Sequence, residues 1–186
     1  TADNTDTLSL ISTDADANTG PNLVLYRNSG SPADNDVIGR IEFQGKDDGG
    51  NTTIFAQLTS QIIDVTGGSE DSSFALETFQ GGSMRNTMDV RGATGGTPEV
   101  VFNDGSFDMD FRVESNGNAN MLTVNAGADL VGIGADPDLG VALHVKSADS
   151  GASVASDADE LVIEGSGSSG LTILAGTSSD SRINFG

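Results

Sequence analysis

Cysteine and tryptophan are missing from the 186 residues, and tyrosine and histidine occur once each. Without cysteine there is no disulfide framework and no thiolate-based zinc or redox centre. Basic residues are also scarce: eight Lys and Arg stand against twenty-eight Asp and Glu, a formal charge of −20. A chain so charged repels phosphates and offers no basic stripe, which excludes nucleic acid as a partner. No apolar run approaches the roughly 18 residues of a membrane span. Aromatic residues make up only 5 % of the chain, whereas glycine fills 25 positions. Glycine buries almost nothing and costs backbone entropy on folding, so a deep single-chain core is hard to build from this material.

What is present is period-two alternation, with no sustained 3.6-residue pattern. The clearest run is Phe107-Asp108-Met109-Asp110-Phe111-Arg112-Val113-Glu114. Its odd positions are apolar and its even ones charged, which predicts a strand with Phe107, Met109, Phe111 and Val113 inward and the charges wet. Shorter versions recur at Leu8/Leu10, Leu23/Leu25, Ile41/Phe43, Phe74/Leu76, Leu122/Val124, Val131/Ile133, Leu143/Val145, Leu161/Ile163, Leu171/Ile173 and Ile183/Phe185. Turn-forming clusters such as Asp47-Asp48-Gly49-Gly50, Gly67-Gly68 and Gly95-Gly96 separate them. Many short strands between Gly, Asn, Asp and Ser turns predict an all-β fold.

Two module types repeat in the order A, B, B, A. Module A covers 1–66, a B module 67–99, a second B module 100–146 and a truncated A module 147–186. The A wording Leu23-Val24-Leu25 … Arg40-Ile41-Glu42-Phe43 echoes in Leu171-Thr172-Ile173 … Arg182-Ile183-Asn184-Phe185. The start at Thr1 without methionine and the break in module A at Gly186 predict a piece of a longer polypeptide. Each module holds two or three short strands, too few for independent stability in water. The missing surface must come from neighbouring modules or other chains. That combination predicts an elongated β-structure in which several chains share a narrow core.

The segment Leu130-Val131-Gly132-Ile133-Gly134-Ala135-Asp136-Pro137, followed by Leu143-His144-Val145, resembles a signature of bacteriophage tail-fibre and tail-spike proteins. The phrase Phe111-Arg112-Val113-Glu114-Ser115-Asn116-Gly117 and the wording of the two A modules are similar to shaft repeats of the same proteins. The resemblance implies an all-β, elongated, intertwined homotrimeric β-fibre of the triple β-helix or β-prism kind, a virion component outside the cell whose shaft positions a receptor-binding tip for host attachment. Its implied partners are two further copies of the chain, other tail or baseplate proteins and, for a binding segment, a host surface glycan. A tail-spike that binds or degrades glycans is the alternative. The self-cleaving chaperone domain of such proteins is not in these residues.

Candidate sites are few, and the residues favour a non-enzymatic protein with no cofactor and no catalytic or metal residues. Asp14-Ala15-Asp16-Ala17-Asn18-Thr19-Gly20 has the flavour of a calcium loop, but its glycine comes one position late and Leu25 stands where a bidentate glutamate belongs. Asx turns account for such acids equally well. Asp108, Asp110 and Glu114 have the spacing for glycoside hydrolysis, yet a saccharide cleft needs stacking aromatics, and Tyr26 is the single tyrosine. His144, between Leu143 and Val145, is expected to be exposed or stacked on its symmetry mates, where three copies could share an ion. Asn51-Thr52-Thr53 matches a glycosylation acceptor, which a bacterially made product does not use.

Overall fold

A computed structural model describes residues 7–92 and 97–184. Gly95-Gly96, Phe185 and Gly186 of the sequence reading lie outside the described residues. The fold is all-β: ten strands form two five-stranded sheets, and no helix occurs among the described residues. The chain divides into two units, Thr1–Val101 and Phe102–Gly186.

The first sheet is a meander of β1 (Val37–Lys46), β2 (Thr52–Asp64), β3 (Asp71–Gln80), β4 (Ser83–Arg91) and β5 (Glu99–Phe102), in spatial order 1-2-3-4-5. β1 to β4 pair antiparallel. Its tight connections are the Gly- and Asp-rich clusters, because such residues supply turn conformations cheaply. At the β1–β2 turn, Asp47 accepts hydrogen bonds from the backbone N–H and the side-chain amide of Asn51.

The second sheet runs in the order β10-β9-β8-β7-β6. Its strands are β6 (Phe111–Val113), β7 (Leu122–Asn125), β8 (Leu130–Ile133), β9 (Leu143–Lys146) and β10 (Leu161–Glu164). β6, β7 and β8 are antiparallel neighbours, whereas β8, β9 and β10 pair in parallel.

The long alternating run is cut short. Only Phe111–Val113 is strand, although Phe107, Met109 and Phe111 remain less exposed than Asp108, Asp110 and Arg112. Val113, expected inside, is exposed. Residues 103–110 instead form a turn in which Asn103 accepts from the Phe107 N–H and donates to the Phe107 carbonyl. The segments around Leu8/Leu10, Leu23/Leu25, Leu171/Ile173 and Ile183 carry no strand pairing and leave their apolar side chains exposed. Alternation marks which face would be buried, but a strand also needs a neighbouring backbone to bond.

Candidate functional site

Register decides what each sheet presents. In the first sheet, Ile41 stands opposite Leu58, Leu58 opposite Leu76, and Leu76 opposite Met88. Phe74 and Val90 continue that face one step along the strands. In the second sheet the row Phe111, Val124, Val131, Leu143, Leu161 crosses all five strands, and Val113, Leu122, Ile133, Val145, Ile163 forms a parallel row two residues on. Because side chains alternate with period two, each pair of rows lies on one face. Both faces are thus apolar ladders.

They are also open. Among the described apolar residues only Ala75 and Val141 are buried, while Phe43 is 57 % and Phe74 50 % exposed. The buried polar side chains sit on the opposite faces: Gln57, Ser73 and Asp89 on the first sheet, Thr123, His144, Lys146 and Glu164 on the second. On the first sheet Glu77 accepts from both Gln57 and Thr59. In the single chain the usual arrangement is inverted, and large contiguous apolar patches of this kind mark interaction surfaces.

Among the described residues, the polar face of the second sheet carries a concentrated group of titratable side chains. His144 and Lys146 alternate on β9, Glu164 stands opposite Lys146 on β10, and Asp138 comes from the loop after β8. His144 Nε2 lies 3.0 Å from Glu164 Oε2, and Lys146 Nζ lies 2.7 Å from Asp138 Oδ2 and 3.2 Å from Glu164 Oε2. The other oxygen of Glu164 accepts from the backbone N–H and hydroxyl of Ser150. Those two bonds, aided by the Lys146 ammonium, hold the Glu164 carboxyl down at about 2. The hydrogen bond from Lys146 lowers the Asp138 carboxyl as well, and the same contact raises the lysine.

The enclosure of His144 corrects the sequence expectation. Its side chain has no exposed surface and faces carboxylates of its own chain, so it is neither exposed nor available to stack on symmetry mates. The glycines of the resembling motif explain the enclosure. Gly132 lies opposite His144, and the loop to Pro137 folds back over it so closely that a Cβ there would meet the Ala135 carbonyl.

The other candidates are not brought together. Asp110 is exposed and accepts from the Ala126 N–H, Glu114 pairs with Arg112 at the surface, and Asp108 is exposed before β6 begins. Asp14 and Asp16 accept from backbone N–H groups two residues on, as Asx turns do. Tyr26 and Asn51 are exposed. Sequence reasoning missed Glu164, Lys146 and Ser150 as neighbours of His144. The only available signal was the pair of short apolar runs Leu143–Lys146 and Leu161–Glu164, each ending in a charge, and their parallel pairing is a tertiary fact. Comparison of the chain with protein-family models, curated proteins and solved structures finds no match.

Proposed function

We propose that this chain is a structural, non-enzymatic protein: a shaft segment of a homotrimeric bacteriophage tail fibre, working outside the cell as part of the virion. Its task is geometric, holding a receptor-binding tip away from the particle for host attachment. Its partners are two further copies of itself and, along the fibre, other tail or baseplate proteins. One observation carries the reading: each sheet has one face lined by a row of apolar side chains, many of them exposed, while most of its buried polar side chains lie on the other. Fully burying a Leu, Val or Phe side chain contributes about 1.5–3 kcal/mol, so a chain with two open ladders gains most of its stability by meeting copies of itself. Head-to-tail contacts that close after three copies leave no ladder free, whereas contacts that do not close make filaments. The motif resemblance points to the same trimer, and the charge of −20 keeps the outer skin hydrated and rods apart.

The test is the mass of the purified chain by light scattering. A trimer of about 57 kDa is expected, three times the 18.9 kDa of one chain. A folded 18.9 kDa monomer at micromolar concentration overturns the reading.

A further inference from the structure

The fibre reading uses the apolar faces and leaves the loop between β6 and β7 without a task. That loop carries the end of the phrase singled out in the sequence, Ser115-Asn116-Gly117, and these residues are exposed. Asn116 is the only asparagine of the chain that a glycine follows. A turn closes around it: the Ser115 N–H donates to the Asn118 carbonyl at 2.8 Å, and the Asn118 side chain donates to the Gly134 carbonyl at 2.6 Å. Between these anchors neither the Asn116 side chain nor the Gly117 N–H makes a hydrogen bond. A Cβ at Gly117 would meet nothing within 4 Å. An unbonded side-chain amide thus stands next to an unbonded, unhindered backbone nitrogen in water, and the two can react.

We propose that Asn116 is a site of spontaneous deamidation and isoaspartate formation, a one-way chemical timer in the β6–β7 loop. The Gly117 nitrogen gives its proton to solvent base and attacks Cγ of Asn116. The N–Cγ bond forms and the bond from Cγ to Nδ2 breaks. Ammonia leaves with a proton returned by solvent, and a cyclic succinimide remains. Water then opens the ring. Breaking the new N–Cγ bond leaves aspartate on the original main chain. Breaking the bond from the Gly117 nitrogen to the main-chain carbonyl carbon of Asn116 instead routes the chain through the side chain, as isoaspartate. Either product adds a negative charge to a chain already at −20. Isoaspartate also puts an extra methylene into the turn that the Ser115–Asn118 bond closes. Other asparagines lack these conditions. Asn51 and Asn103 are held by hydrogen bonds to Asp47 and Phe107, and they precede Thr52 and Asp104. Asn28 is exposed, but it precedes Ser29, whose side chain crowds the attacking nitrogen. The chemistry needs one chain only, so the site does not depend on the fibre reading.

The experiment follows the freshly purified full chain in mildly alkaline buffer made with heavy-oxygen water, by mass spectrometry of its proteolytic peptides. The peptide containing Asn116 is expected to convert first, to a mixture of aspartate and isoaspartate that carries one oxygen from the solvent. Gly117→Ala should slow the conversion by about tenfold or more, because a methyl group hinders the approach that glycine leaves open. Asn116→Gln should remove it at this position. An Asn116 peptide that stays unchanged, faster conversion at Asn28, or aspartate formed without isoaspartate overturns the proposal. The wild-type readout decides the matter even where a variant fails to fold.

Discussion

At position 134 the backbone has φ of +89°, and a Cβ there would run into the carbonyl oxygen of Lys146. Glycine is required twice over, for the left-handed conformation and for the close approach of β8 to β9. Gly134→Ala should therefore cost about 1–3 kcal/mol from the backbone region alone. Gly117→Ala, where nothing lies within 4 Å and φ is not left-handed, should leave the melting temperature nearly unchanged. Equal losses in thermal unfolding would contradict the loop geometry. Asp47 gives a second residue-scale expectation. The side-chain and backbone bonds from Asn51 hold its carboxyl below the usual 3.8. A depressed carboxyl favours the folded hairpin above its unfolded value, and that contribution disappears as pH falls through the folded one. Carbon NMR should place the Asp47 midpoint below 3.8, and Asn51→Ala should move it upward. An unmoved midpoint would mean the turn is not held by this pair.

Strands in this chain follow partners more closely than patterns. Ile41, Leu58, Leu76 and Met88 form one row because three antiparallel registers agree, the last of them beside a bulge between Leu76 and Glu77. Leu171 and Ile173 alternate just as well but have no adjacent backbone, and they stay unpaired. The open row supplies a test of the assembly face. Leu76→Asp should place a charge at the centre of the interface and reduce the trimer to smaller species in sedimentation, since burying an unpaired carboxylate is strongly unfavourable. Arg40 lies on the opposite face in an exposed pair with Glu42 at 3.6 Å, which is worth little. Arg40→Ala should sediment like wild type. If both variants stay trimeric, the ladder of the first sheet is not the contact.

Across the whole molecule, composition and architecture bear on each other. A chain with 5 % aromatics and 25 glycines folds into two sheets with almost no apolar core of its own. The measurement that belongs to this scale is the mass of the particle in solution, because in the proposed trimer other copies supply the surface that the chain's own residues do not. The all-β class, the turn clusters and the sidedness of runs such as Leu143-His144-Val145-Lys146 were legible in the residues, because backbone period and turn chemistry are local properties. Which face of that sidedness is closed was not: the alternation at His144 reads the same whether the ring meets water or lies beneath a loop. The path of Gly132 to Pro137 over the strand buried it, and the parallel pairing of β9 with β10 carried Glu164 across twenty residues to its side. Sequence determined the local geometry of each strand and turn, while only tertiary contact decided which charges meet, because the distance between remote residues is set by register and crossover rather than by any residue's own preference.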